Sequence, residues 1–395
     1  MINVILFDDP HVKAHLLPFT YTIPTSLIRC GVMTIAEKWK YELSEKISYL
    51  TEPYLHKKYP VHVENDNLFI NGSILPDASL VEAVKSLPLG AALVASDRQV
   101  LAIRTPTTWH PTEGYEKFDS REHTGTSRQI GKIWHIHVLN GQEIIADIER
   151  MKGKKDFVPL TDPFTACYAP ENIFIEAGAQ VKASILNAET GPIYIGKNAL
   201  IQEGSTIQGP FAIGEGSILA QGTKIRPNCS IGEFCKVGGE INNSVIFSYS
   251  NKGHDGYLGS SVIGNWCNLG ANTNNSNLKN DYSSVKLFSH VEGRLEDSGL
   301  PQCGLYMGDY SKSGINTMFN TGTVVGVHVN VFGAGFQDKF VPSFTWGGKA
   351  EGYATYRLDK ALQVAEMTAK SKNHIFRDMD RSILEEVFKL TSPYR

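Results

Sequence analysis

Aliphatic residues fall at every sixth position over a long middle stretch of the chain: Ile195, Ile201, Ile207, Ile213, Leu219, Ile225, Ile231 and Val237. Four residues after each comes Ala199, Ser205, Phe211, Ser217, Thr223, Cys229, Cys235 or Ile241, mostly small. A helical face recurs every three or four residues, so a period of six excludes a helix stripe. It predicts a β-solenoid in which each hexapeptide makes one side of a three-sided coil. The aliphatic residue points into the stack and the small one fits a tight corner. The period resumes out of phase at Ile263 and Leu269, and again at Phe319, Val325 and Val331. That predicts two insertions, at about 241–261 and about 275–306.

The pattern before the repeats is different. Short apolar runs at 3–7, 47–50, 68–70, 91–95, 100–103 and 133–138 predict strands. Runs at 34–43, 80–87 and 143–151 predict helices, the first with Thr34 as N-cap and Glu37 three residues on, a capping box. Alternating elements of this kind predict an α/β sheet domain. Asn71-Gly72 reads as a hairpin turn. The polar segment 105–130, rich in Thr, His, Gly and Pro, reads as a long mobile loop. A charged linker, MKGKKD, follows at 151–156. After the repeats, Leu358, Leu362, Ala365, Ile383, Leu384, Val387 and Phe388 return to helical spacing and predict two helices capping the solenoid's open end. The domains expected are therefore 1–155, 165–348 and 349–395.

Composition narrows the function classes. A net charge of −3 over 395 residues lacks the basic excess that nucleic acid or an anionic membrane calls for. No apolar run approaches the roughly 20 residues of a spanning helix. The start, MINVILFDDP, has no basic head and no small-residue cleavage site, so it reads as a first buried strand rather than a signal peptide. The six cysteines form no CxxC pair or metal-ligand spacing and read as reduced, buried small residues of a cytoplasmic protein.

The chemistry concentrates at SNKGHDGYLG, residues 250–259, where a histidine sits between glycines inside the repeat region. Hexapeptide repeats carrying K-G-H-x-x-Y-L-G resemble the acetyltransferase domain of the bifunctional N-acetylglucosamine-1-phosphate uridyltransferase / glucosamine-1-phosphate N-acetyltransferase family. That domain is a left-handed parallel β-helix trimer with its acetylation site between subunits. The segment LLPFTYTIPTSLIRCGVMTIAEKW, residues 16–39, is similar to a variant subgroup whose nucleotidyltransferase-like domain carries R-x-G-x-x-T-I-x-E-K-W.

The resemblance implies roles for particular residues. His254 would be the general base, taking the surplus proton of an amine that attacks a thioester. Tyr257 and Arg226 would hold a sugar phosphate, which suits arginine's fixed fork of donors. Asn268 would contact the sugar, and Asn277 would bind substrate or lie on the acyl-donor side. Asn242 stands where the family carries a phosphate-binding lysine. Acetyl-CoA would lie along about 307–335, where Gly308, Gly322 and Gly326 would permit close approach.

In the N-terminal domain Phe7 is followed by Asp8-Asp9-Pro10-His11, not by the Gly-rich loop of ordinary sugar nucleotidyltransferases. Arg29, Gly31, Thr34 and Lys38 could bring two cations and a helix N-terminus to a phosphate. Equally, Arg29 could tie down a loop and Lys38 be solvated. Asp8, Asp9, Asp77 and Asp97 are possible Mg²⁺ carboxylates, with nothing to choose among them.

The expected function is sugar-nucleotide biosynthesis: acetyl transfer from acetyl-CoA to an amino-sugar 1-phosphate by a homotrimer, alongside a divergent nucleotidyltransferase domain. One alternative is a sugar-1-phosphate nucleotidyltransferase using UTP or dTTP, its β-helix a trimerisation module. Another is a non-catalytic sugar-nucleotide-binding scaffold.

Overall fold

The apolar run near the N-terminus forms the strand Asn3–Phe7, buried from Val4 onward. It pairs in parallel with Ile47–Leu50 on one side and Asn67–Asn71 on the other. Val100–Thr105, Ala91–Val94 and Asp119–Glu122 follow outward and complete a six-stranded mixed sheet. Ile5, Phe7, Phe69, Ala92, Ile103 and Trp109 pack into one core against it. The computed structural model describes residues 2–43 and 46–395, in two units. This first unit runs from the start of the chain to Leu16, then Thr22–Ile28 and Met33–His135; the second holds Leu17–Tyr21, Arg29–Val32 and Ile136–Arg395.

The helix Ile35–Leu43 starts with the expected box: Thr34 N–H donates to Glu37 Oε2 at 2.7 Å, and Glu37 N–H donates back to Thr34 Oγ1 at 3.2 Å. Two other expectations for the first unit do not hold. The polar segment 105–130 is not a plain loop, because Asp119–Glu122 joins the sheet and Arg128–Gln129 pairs with Ile74–Leu75. Asn71-Gly72 makes no hairpin, since Asn67–Asn71 and Ile74–Leu75 pair with other strands. Gly72 instead crosses the end of the first strand, its N–H on the Phe7 carbonyl at 2.8 Å. A Cβ there would lie 3.1 Å from that same oxygen, so glycine permits the crossing.

The segment 133–138 was expected to be a strand and is mostly helix, within His135–Met151. Ile136, Asn140, Ile144, Ile148 and Met151 make its buried face, while Val138 and Ile145 are exposed. The helical period was already running through what looked like an apolar strand.

From there the second unit is a three-sided parallel β-helix, with parallel sheets of nine and six strands and a third of ten. One turn takes 18 residues where the period is intact, Ile213 lying over Ile195 and Ile231 over Ile213. All eight aliphatic residues of the six-residue period are at most 3% exposed and belong to one core. Corner hydroxyls link the coils: Ser217 Oγ donates to the Gly232 carbonyl at 2.7 Å and accepts from Cys235 N–H at 2.8 Å. The six cysteines are free, and burial pushes the Cys229 and Cys235 thiols up to about 12.

The first expected insertion does not exist. Register places Lys252 over Val237, Leu258 over Ile241 and Ile263 over Ile246. The step from Lys252 to Leu258 is therefore a normal six residues. The phase is lost because corners are short: four residues separate Val237 from Ile241, and five separate Ile241 from Ile246 and Leu258 from Ile263. The second insertion is real. Ile263 lies under Met307, and the chain between them carries the antiparallel pair Lys286–Ser289 and Arg294–Asp297.

One corner carries an aromatic column. Phe234, Tyr249, Trp266, Tyr310, His328 and Phe344 stack ring on ring, with neighbouring centroids 4.1–6.1 Å apart and planes within 22°. Each has φ between +54° and +64°. Left-handed backbone costs a bulky residue roughly 1–2 kcal/mol, and the offset stack recovers about 0.5–1.5 kcal/mol per pair.

The two C-terminal helices, Leu358–Ser371 and Asp378–Leu390, lie along this column and do not cap the open end. Phe388 meets Phe344, His374 meets Tyr249 and Trp266, and Lys372 Nζ reaches the Phe234 carbonyl and Asn251 Oδ1, both at 2.9 Å. Residues 352–355, expected to begin the helical region, instead form a strand that folds back antiparallel on Thr345–Gly348. Among the described residues no helix is long and apolar enough to cross a membrane.

Two histidines under the C-terminal segment must stay neutral. His328 is pushed down to about 3 by burial and by Lys312, whose buried Nζ has no hydrogen-bond partner. Burial takes His290, ringed by Tyr21, Phe288, Phe340 and Tyr394, down to about 4. The unfolded chain binds these protons at about 6.5, so stability falls as pH drops from there towards 4, by up to about 1.4 kcal/mol per pH unit for each ring. Thermal melts between pH 7 and 4 should fall less steeply for His328→Phe than for the wild type. Parallel curves would refute the account.

Candidate functional site

SNKGHDGYLG occupies one corner of the β-helix. Asn251–Lys252 ends one side of the coil, residues 253–256 turn the corner, and Tyr257–Gly259 begins the next side. His254 and Asp255 are exposed at the turn. Gly256 has φ +117°, and a Cβ there would sit 2.3 Å from the Thr273 carbonyl of the coil above, so the turn requires glycine. Lys252 points inward and is 1% exposed. Its Nζ donates to the carbonyls of His254 at 3.0 Å, Asp255 at 3.2 Å and Gly238 at 3.4 Å.

The residues singled out in the sequence divide between the two sheets that meet at this corner. On the side after the turn, Tyr257 pairs with Glu240, and Tyr257 Oη lies 3.4 Å from Asn242 Nδ2. Arg226, 60% exposed, holds Glu240 at 3.3 Å. An exposed pair of this kind contributes little to stability, which leaves the guanidinium free to exchange partners. Arg226 and Glu240, with Lys224, Gln208 and Asn187, line a groove of about 510 Å³. On the side before the turn, Asn268 lies over Asn251 and under Lys312.

Asn268 lies on a strand, and neither it nor Asn277 has left-handed backbone. The corner asparagines that do are Asn198, Asn228, Asn243, Asn272 and Asn316. Asn277 Nδ2 donates to Ser260 Oγ at 3.1 Å and stands away from the turn at the root of the large insertion. Asn274 and Asn275, not singled out in the sequence, tie the Tyr257 strand upward: Tyr257 N–H donates to Asn274 Oδ1 at 2.7 Å and Gly259 N–H to Asn275 Oδ1 at 2.9 Å. The glycines expected to admit a ligand are packed by the chain itself. A Cβ on Gly322 would lie 2.6 Å from the Lys286 carbonyl, on Gly326 2.3 Å from Ser343 N, and on Gly308 2.9 Å from Gly326.

The four residues expected at a nucleotide have other work. Arg29 is buried, donates to the Val32 carbonyl and pairs with Glu233 at 2.5 Å. Burial would raise the Glu233 carboxyl, but Arg29 and the Ser248 hydroxyl hold it below the usual range. Gly31, at φ +92°, donates its N–H to Asn140 Oδ1 at 2.7 Å. A Cβ on Gly31 would collide with Asp147 and the Glu143 backbone. Thr34 is spent on its capping box. Lys38 is fully buried, so it is not a solvated helix residue.

The candidate metal carboxylates are also committed. Asp8 accepts from Lys13 Nζ and Thr25 N–H, both at 2.8 Å, and from Thr51 Oγ1 at 2.5 Å. Asp9 and Asp77 cap helices, and Asp97 holds a turn through Gln99 N–H at 3.1 Å. Among the described residues no group of three His, Cys, Asp or Glu could hold a metal. These residues do not fit a resident Mg²⁺.

Residues 4–156 match the family described as sugar nucleotidyl transferase. The chain is 33% identical over 93 residues to a bifunctional sugar-1-phosphate nucleotidylyltransferase/acetyltransferase of Sulfurisphaera tokodaii, covering 24% of this chain and 23% of that protein. It is 32% identical over 107 residues to the bifunctional protein GlmU of Methanocaldococcus jannaschii, covering 27% and 26%. The chain thus spans about a quarter of the length of these curated relatives. Among solved structures, the UDP-N-acetylglucosamine acyltransferase of Campylobacter jejuni aligns with a TM-score of 0.26 and 13% identity, over 58% of this chain and 96% of that one.

If Arg29 serves the fold, its loss will be felt without any nucleotide present. Arg29→Met leaves half-buried Glu233 without its cation and should cost about 1–3 kcal/mol, the scale of stranding one partner of a charged hydrogen bond. Urea denaturation of the ligand-free chain measures it, and an unchanged midpoint would return Arg29 to the candidate binding residues.

Proposed function

We propose that this chain transfers an acetyl group from acetyl-CoA to the amine of an amino-sugar 1-phosphate. The observation that carries the reading is the corner turn 253–256, which exposes His254 where two sheets meet. Arg226, Tyr257 and Asn242 stand on one side of the turn and Asn268 on the other. The resemblance of the repeat region to a family of amino-sugar acetyltransferases supports it, as does one relative whose name includes acetyltransferase.

In the reaction, the acceptor's amine nitrogen attacks the thioester carbonyl carbon, a C–N bond forms and the C–S bond breaks. His254 takes the proton that the nitrogen loses, and the sulfur leaves as the thiol of coenzyme A after regaining a proton. Arg226 gives up Glu240 for the sugar phosphate, a dianion that matches its paired N–H donors better than one carboxylate oxygen does. Tyr257 donates to the same phosphate, Asn242 orients the Tyr257 hydroxyl, and Asn268 holds the sugar. Asn277 belongs to the donor side. Asn242 brings no charge, so Lys224 in the groove beside Arg226 supplies the second cation. The active assembly is a homotrimer, with the groove closed by a neighbouring copy.

For the N-terminal unit the reading is a sugar-nucleotide-type domain without metal-dependent turnover. The commitment of Asp8, Asp9, Asp77 and Asp97 favours it over nucleotidyl transfer from UTP or dTTP.

His254 is exposed, so His254→Ala should fold with an unchanged melting temperature and lower acetyl transfer about 10²–10³-fold, the scale of one lost general base. The assay incubates the full chain with acetyl-CoA, UTP, dTTP, Mg²⁺ and a panel of sugar and amino-sugar 1-phosphates and identifies products by mass. Full activity in His254→Ala would sink the mechanism. Pyrophosphate release with no acetylated product would sink the function.

A further inference from the structure

One inward stack of the β-helix runs Ile201, Leu219, Val237, Lys252, Leu269, and a cation stands in it where every neighbour is aliphatic. An ammonium withdrawn from water costs several kcal/mol unless its protons are satisfied. Among the described residues no carboxylate is hydrogen-bonded to it. Three backbone carbonyls do, and two of them belong to His254 and Asp255, in the turn that carries the proposed base. Burial takes the Lys252 ammonium down to about 8, against the pull of the Asp255 carboxylate. The chain pays for this charge in the middle of a core that leucine would fill. What the charge obtains is hydrogen bonds to the turn from below; an aliphatic side chain would remove them, leaving the Asp255 carbonyl with Asn272 N–H at 3.0 Å and the His254 carbonyl without its lysine donor.

We propose that Lys252 is the positioning residue of the His254 turn. From inside the coil its ammonium gathers the carbonyls of Gly238, His254 and Asp255 and fixes the backbone from which the imidazole reaches the acceptor amine. Lys252 itself touches no substrate. This role rests on the acetyl-transfer reading, while the anchoring of the turn does not. Misplacing a catalytic group by an ångström can cost on the order of 10²-fold in rate, so a backbone clamp of this kind acts on turnover more than on binding.

The test uses the full-length chain with Lys252→Met, whose side chain suits the stack, and Lys252→Gln, which keeps two N–H donors. Amide hydrogen exchange is followed by peptide mass, and kcat and KM are measured for acetyl transfer. In Lys252→Met the amides of 253–256 should exchange at least tenfold faster, while those of Lys236–Val237 and Asn268–Leu269 keep wild-type protection. Its kcat should fall at least tenfold with both KM values within about twofold. Lys252→Gln should recover part of both. Wild-type exchange in both variants overturns the anchor. Faster exchange with unchanged kcat overturns the positioning role. A wild-type chain that transfers no acetyl group, yet whose turn loosens in Lys252→Met, sinks the acetyl-transfer reading and leaves the anchor standing.

Discussion

Each side of the coil sets its inward side chains directly above and below the inward residues of the neighbouring coils, and the rest of the second unit follows from that constraint. Strand amides and carbonyls are bonded to the coils on either side, so a strand cannot slip by one residue without turning its core side chain to solvent. Variation in length is therefore confined to corners. Between Val237 and Ile263 the chain omits residues at three corners and still returns an aliphatic residue to the stack at Ile241, Ile246, Leu258 and Ile263. Lys252 is the inward residue in this stretch that breaks the chemistry while keeping the register.

The aromatic column shows the same constraint at another corner. A tight turn repeated in every coil places the third residue after the inward aliphatic in left-handed backbone each time: Phe234 after Ile231, Tyr249 after Ile246, Trp266 after Ile263. Asparagine and glycine fill this position in the earlier coils, at Asn198 and Gly216, where backbone cost is lowest. Rings take over from Phe234 upward, where the C-terminal helices have a surface to cover. Stacking offsets the strain and supplies the apolar seam against which His374 and Phe388 pack. Strain, ring stack and appended helices thus form one dependent series.

How much of this could be read in advance depends on whether the signal was periodic. The six-residue alternation identified the β-helix because each repeat reports the same burial. The phase slip was visible too, but sequence alone does not separate residues gained from residues lost, so short corners passed for an insertion around SNKGHDGYLG. The aromatic column is also periodic, three residues after each aliphatic, but its residues vary from Asn and Gly in the early coils to rings in the later ones, so composition at that position carries no single signal. In the first unit the errors were of another kind. Ile133, Ile136 and Val138 resemble a strand until Ile144 and Ile148 extend the same face as a helix, and Asp119–Glu122 is all polar yet pairs along a full edge. At the candidate site the sequence supplied the residue types at the corner, whereas Glu240 as the partner of Arg226 and the carbonyls beneath Lys252 depend on register between coils.

The two units treat buried charge in opposite ways, and the contrast bears on where chemistry resides. In the first, Lys13 and Asp8 neutralise one another, Thr51 and Thr25 complete the carboxylate's bonds, and the arrangement is closed. Asp8 thus accepts three hydrogen bonds from within its own unit, two of them from Lys13 and Thr51 on one oxygen. In the second unit Lys252 feels the Asp255 carboxylate without bonding it and gives its protons to the backbone of an exposed turn. Folding alone would favour leucine there, as at Leu219 and Leu269. A local rule broken inside an otherwise consistent repeat marks the place where something other than stability set the residue. The turn that this lysine supports carries His254, which ties the cost to the residue proposed to do the chemistry.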